Sequence, residues 1–373
     1  MELELITSSI TLILSSNLSS RTSIHSPAVR SKFFIMKKSI MDTFGPDQNS
    51  RSFAFTLDQY SYKFELHTEE DDKKLWQVSI KYRKKKEIVK GVSWVYELPN
   101  FVLLIAKTQA SIFDICERAF NHLYPMISQF FLIRHELVGI LGKFELKYLY
   151  ELYSSNYTIR RLRTTDGEGD KRKTTVTYTT TTPLLEIFNE ADLNDMWISS
   201  IMIDGYKHQP GGVSEEIQFR ITNNTRLTIT KGRPLDILAF FHKEIENIAI
   251  KRYRLLENRS RSKLADYQIK PIFLEFKEDL FKSKDKINEF LDVITQYKNC
   301  QYSVIHSGNP HLFMTISDTI DRSTLNIKSI GTNLAVVIPQ IRTSASSLIR
   351  FISYIIKNYG ECELKESLTA QSE

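Results

Sequence analysis

Apolar and polar residues alternate along the first patterned stretch of the chain. From Phe53 to Leu66, "FAFTLDQYSYKFEL" places apolar side chains at nearly every second position, the period of a strand with one buried face. The polar run Glu69 to Asp72 reads as a turn, and "LWQVSIKY", "VSWVYEL" and "FVLLIAK" follow as three further strands. The period then changes. Ile112, Ile115, Ala119, Phe120 and Leu123 recur at helical spacing, and Ser111 with Asp114 three residues on gives an N-cap signature.

The same succession returns twice. In the middle of the chain, "TTVTYTTTT" reads as a strand and "PLLEIFNEADLNDM" as a helix with Pro183 at its first turn. Three strands, "WISSIMIDGY", "EEIQFRITN" and "RLTITKG", then lead into a long helix, "RPLDILAFFHKEIENIAIKRYRLLEN". At the end come a strand "KPIFLEFKE", a helix "KDKINEFLDVITQYK", four strands, and a closing helix with Ser344 near its cap and Gly360 at its stop. The stretches "LLIAKTQASIFDI" and "LTITKGRPLDIL" match weakly, at the strand-to-helix step of the first and middle segments.

The pattern predicts an α+β protein of consecutive antiparallel-sheet-plus-helix modules. Residues 1–50 are Ser-rich and read as a tail. A first module covers 51–124, a helical segment with a basic hairpin 125–173, and a middle module 174–265. A β-α-β-β-β-β-α module covers 268–362, and 363–373 is a second tail. In the 125–173 segment two helical pieces separated near Gly139 to Phe144 precede the hairpin, an order that resembles the tail of a winged-helix domain. The element order of the last module is similar to the TATA-binding-protein-like superfold, a curved sheet backed by helices. That likeness rests on topology alone and implies no activity.

Composition narrows the function classes. Of 373 residues, 42% are hydrophobic and 25% charged, the usual balance of a chain that builds a core. The net charge of +6 permits a polyanionic partner without demanding one. Three widely spaced cysteines, Cys116, Cys300 and Cys362, make no disulfide framework and fit free thiols in the cytoplasm. No window reaches the ~18 apolar residues of a membrane helix, so no membrane partner is expected.

The motifs of common chemistries are missing. Gly167 is followed by Arg172 where a P-loop needs glycine, and no G-x-G-x-x-G occurs. Asp166, Glu168 and Asp170 open like a calcium loop, yet Thr177 stands where the bidentate glutamate belongs. There is neither HExxH nor G-x-S-x-G. No metal, no cofactor and no catalytic residues are therefore expected.

Three basic clusters remain. The first is Lys81 to Lys86, with Lys84, Lys85 and Lys86 at a strand end. The second is Arg160, Arg161 and Arg163 with Lys171, Arg172 and Lys173, on the arms of a hairpin whose tip is "DGEGD". The third is Arg252, Arg254, Arg259, Arg261 and Lys263, at a helix end. Tyrosines 82, 178 and 253 lie among or near them, and this mixture of cations and aromatics suits phosphates and bases. The expected function is a non-enzymatic binding protein that contacts nucleic acid through these clusters. The alternatives are a scaffold that binds a protein partner or a second copy, and a small-molecule binder or enzyme with a pocket between sheet and helix.

Overall fold

The computed structural model describes residues 28–37, 39–40, 51–70, 73–84, 87–107, 110–161, 175–193, 196–208, 214–261, 270–308, 311–359 and 362–365. They hold two antiparallel sheets and six helices, a mixed α+β architecture. The chain divides into two compact units. The first comprises the described parts of residues 1–130, 137–160 and 175–246. The second comprises those of 131–136, 161–174 and 247–373.

The first unit is built on one twelve-stranded sheet. Strand β1 (Val29–Met36) is followed by the meander β2 (Ser52–Leu57), β3 (Tyr60–Glu70), β4 (Lys73–Lys84), β5 (Glu87–Leu98) and β6 (Phe101–Lys107). Then come helix α1 (Ala110–His122), β7 (Ile127–Gln129) and helix α2 (Arg134–Tyr148). Next are the pair β8 (Glu151–Arg161) and β9 (Thr175–Pro183), and helix α3 (Leu184–Leu193). A second meander, β10 (Met196–His208), β11 (Ser214–Thr222) and β12 (Leu227–Lys231), leads into helix α4 (Pro234–Arg259), which belongs to this unit through Glu246. The strand order is β2-β3-β4-β5-β6-β1-β12-β11-β10-β8-β9, with β7 paired to β1.

The first and middle modules are thus halves of a single sheet, and β1 is the seam. It pairs antiparallel with β6 (Ser31 opposite Ile105) and with β12 (Ser31 opposite Leu227). The two weakly matching stretches are the strands that flank this seam. Val29 to Met36 falls where the pattern predicts a tail, and the strand there is almost wholly buried. Two features hide it from a reading by period. A central strand is covered on both faces, so its apolar positions do not alternate with solvated ones. It also carries Lys32, whose side chain is 0% exposed and whose Nζ donates to Glu117 Oε1 on α1 at 2.6 Å.

α1 lies over one face of this half-sheet. Phe34, Phe64, Trp76, Val78, Val95, Val102 and Leu104 pack with Ile112, Phe113, Cys116 and Phe120 in one core. On the other face Ser31 meets His242 of α4 at 3.1 Å, and Phe144 of α2 packs against Phe219, Phe240 and Phe241.

Two further expectations change in this unit. The stretch Phe53 to Leu66 is two strands joined at Asp58 and Gln59, with Asp58 at φ 53°. The apolar phase does slip there, because Leu57 and Tyr60 are three residues apart. The region 134–148 is one helix, α2, and 151–161 is strand β8, so among the described residues the two separate helical pieces of a winged-helix order are not present.

The second unit holds the six-stranded sheet β14-β15-β16-β17-β13-β18. Strand β13 (Ile272–Glu275) is followed by helix α5 (Lys284–Thr295) and the meander β14 (Cys300–Ser307), β15 (Leu312–Asp318), β16 (Ser323–Ile330) and β17 (Leu334–Pro339). Helix α6 (Ala345–Asn358) and the short β18 (Glu363–Lys365) close it. The expected β-α-β-β-β-β-α order is present, with a strand at 363–365 where the pattern predicts a tail. Ser344 caps α6, its hydroxyl accepting from the Ser347 amide at 3.1 Å. Buried Arg350 ties α6 to the β15–β16 turn through Asp318 and through Asp321 at 3.0 Å.

Candidate nucleic-acid interface

The structure treats the three basic clusters differently. In the third, Arg252 is buried. Its Nη1 donates to the Phe131 carbonyl at 2.8 Å, and its Nη2 donates to both carboxylate oxygens of Glu136 at 2.7 Å. A guanidinium held in this way is structural and offers nothing to phosphate. Arg259 donates to the Pro271 carbonyl at 3.3 Å, and Arg261 bonds through its backbone with Thr343 at 2.8 Å and Arg342 at 2.9 Å. Arg254 is exposed. Lys263 lies outside the described residues.

The second cluster is described only at its root. Arg160 and Arg161 end β8, with Arg160 opposite Thr175. Arg163, Lys171, Arg172 and Lys173 lie outside the described residues, as does the "DGEGD" tip. The arms above are Thr-rich, and Tyr157 stacks on Tyr178 with ring centroids 5.1 Å apart.

The first cluster shows the most in the structure. From Trp76 onward strand β4 alternates, with its even-numbered side chains Trp76, Val78 and Ile80 facing the core beneath α1. Its odd-numbered side chains therefore stand on the outer face. Register puts Lys81 opposite Lys90 on β5 and Arg83 opposite Ile88. Directly opposed residues of an antiparallel pair have Cβ atoms ~4.5–5.5 Å apart. Lys81, Arg83 and Lys90 are all exposed, and none has a carboxylate partner among the described residues. Ile88 (68% exposed) and Val92 share this face, and Trp94, half-buried against His67, lies further along it.

Lysine opposite lysine costs stability, because like charges repel across a cross-strand pair. Neighbouring acids do not cancel this pair. Glu65 is engaged with Lys63 at 2.5 Å, and Glu69 with Lys74 at 3.1 Å. Of the lysines read from the sequence, Lys84 ends β4 opposite Glu87, while Lys85 and Lys86 lie outside the described residues. Among the described side chains of β4 and β5, the exposed cations without a carboxylate partner are thus Lys81, Arg83 and Lys90. Lys90 could have been found by pairing "KYRKKK" with the following strand in register.

The described root of the second cluster, at the end of β8, stands apart from the first. Six strand steps separate β5 from β8 in the sheet order, about 29 Å at the usual strand spacing. Among the described residues no group of three or more His, Cys, Asp or Glu side chains is placed to hold a metal ion. The free thiols are not poised for chemistry either. Burial pushes Cys116 and Cys300 each up to about 12, which keeps them protonated.

Compared with known proteins, the chain matches no protein-family model, and no curated protein is similar to it.

Proposed function

We propose that this protein is a non-enzymatic binding protein that takes nucleic acid on the outer face of β4 and β5. One observation carries the reading: Lys81 and Lys90 stand directly opposite each other, with Arg83 two residues along, exposed and without carboxylate partners among the described residues. An arrangement that is repulsive alone becomes favourable when phosphates lie across it, because each phosphate contact releases counterions. Ile88, Val92 and the edge of Trp94 supply apolar surface beside the cations, where bases or sugars of a single strand can rest.

The test uses a property that a purely structural lysine would lack. Lys90→Glu turns the repulsive pair into an attractive one, and should raise stability by up to about 0.5–1 kcal/mol. The same change should weaken binding of a labelled single-stranded oligonucleotide at low salt by about tenfold or more. Thermal unfolding and fluorescence anisotropy on the same sample read both effects. Unchanged affinity in Lys90→Glu and in Lys81→Glu would refute the assignment.

The apolar residues on this face favour a second reading, a protein partner with an acidic segment. That partner would show the same lysine dependence while oligonucleotides of every form fail to bind.

A further inference from the structure

The sheet face that carries α1 continues past β1 onto β12 and β11, and there it is rich in arginine. Ser31 meets α4 and Phe219 packs against α2 and α4, so the neighbouring Arg30, Lys32 and Arg220 project from the opposite side, the side of α1. Register fixes their order. Arg30 on β1 stands opposite Thr228 on β12, and Thr228 stands opposite Arg220 on β11. Arg226, two residues before Thr228, shares this side and lies 5.0 Å from the Phe113 ring centre of α1. Three arginines therefore surround one threonine, although no run of cations in the sequence announces them. Arg30 and Arg220 are two strand steps apart, about 10 Å at the usual spacing, so two arginine side chains can converge over Thr228.

Their charges are met unequally. Arg226 is committed to carboxylates of α1, Asp114 at 2.7 Å and Glu117 at 3.4 Å, and Glu117 also takes Lys32 at 2.6 Å. Arg30 donates to the Ala28 carbonyl at 3.2 Å, and burial together with the charge of Arg226 lowers its pKa. Arg220 has neither a carboxylate partner nor a side-chain hydrogen bond among the described residues. Asp204, diagonal to it on β10, accepts instead from Gln218 Nε2 at 2.7 Å. The Thr228 hydroxyl makes no hydrogen bond among the described residues either. Arg30, Arg220 and Thr228 are all half-buried, so they hold concentrated donors that solvent still reaches.

We propose that Arg30, Thr228 and Arg220 bind a phosphate group, with Arg226 at its rim. A tetrahedral phosphate offers oxygens to two guanidinium forks and a hydroxyl at once, whereas a planar carboxylate is filled by a single fork. The phosphate is free or carried by a small molecule. The site is independent of the β4–β5 nucleic-acid face, because Lys32 and its opposite residue Leu104 lie on the side of Trp76 and Val78, away from Lys81, Arg83 and Lys90.

The experiment is thermal unfolding of the full chain at constant ionic strength in inorganic phosphate, in acetate and in chloride. Phosphate should stabilise the wild type saturably and more than acetate does. Arg220→Gln should raise the phosphate concentration for half the effect by about tenfold or more, because a hydrogen bond between charged groups is lost. In chloride the same variant should melt at or above the wild type, since one of several crowded cations is gone. Thr228→Val keeps the branched shape and should weaken the response by about threefold or more. Oligonucleotide affinity should be the same in Arg220→Gln as in the wild type. A phosphate response unmoved by Arg220→Gln and Thr228→Val, a response matched by acetate, or oligonucleotide binding that weakens in Arg220→Gln would overturn the inference.

Discussion

At the scale of single residues, the first unit tolerates buried polar groups by pairing or neutralising them. Lys32 is paired with Glu117 at 2.6 Å, while Arg226 reaches Glu117 at 3.4 Å and Asp114 at 2.7 Å. His242 follows the other route. Its Nε2 lies 3.1 Å from Ser31 Oγ, its Nδ1 has no hydrogen-bond partner among the described residues, and burial pulls its imidazole down to about 3. The unfolded chain would titrate near 6.5. The folded state therefore holds fewer protons between those two values, and stability from neutral His242 is full above about pH 6.5 and is lost as pH falls toward 3. Denaturant unfolding of the wild type between pH 6.5 and 4 should include a slope of about 1.4 kcal/mol per pH unit from this residue. In His242→Gln that contribution should vanish, and an equal slope in both proteins would contradict the assignment. Arg252 gives a second residue-scale prediction. Arg252→Gln leaves half-buried Glu136 without its cation and should cost about 3 kcal/mol. Its nucleic-acid affinity, measured where the variant is folded, should match the wild type.

At the scale of elements, close approach of α1 to β5 depends on Gly91. A Cβ there would lie 2.5 Å from Ile112 Cγ2, and Ile112 is itself buried and β-branched, so it has little room to turn. Gly91→Ala should destabilise by about 1–3 kcal/mol, and Ile112→Ala added to it should cost less than it does alone. Calorimetry of the four proteins of this cycle measures both effects. Elements buried on one face were legible in the sequence. β4 alternates and α6 has a cap and an apolar stripe, and both form where the pattern puts them. The elements missed are those that break the pattern for a tertiary reason. β1 is buried on both faces and carries a paired lysine. The β2–β3 turn hides inside an alternation whose phase slips by one. Gly139 and Gly142 read as a helix break because glycine lowers helix propensity, yet α2 runs through both on the strength of its buried leucines and Phe144.

At the scale of the whole molecule, counting cations found the basic regions but not which cations are exposed. Arg252 sits in a run that looks solvated in sequence, and only its contact with Glu136 shows otherwise. Lys90 lies outside the runs of consecutive cations, and only register brings it opposite Lys81. Net charge is likewise a weak guide, because several of the chain's cations balance acids inside the fold. Among the described residues, β4 and β5 present a face with exposed Lys81, Arg83 and Lys90.

The most direct measurement of the central claim is the salt dependence of binding a single-stranded oligonucleotide, for the wild type and for Lys81→Gln/Arg83→Gln/Lys90→Gln. The slope of log affinity against log salt should flatten by about 0.7 for each lost phosphate contact, about 2 in all for the triple variant. Equal slopes in the two proteins, or no binding by the wild type at low salt, would contradict the β4–β5 face as a nucleic-acid interface.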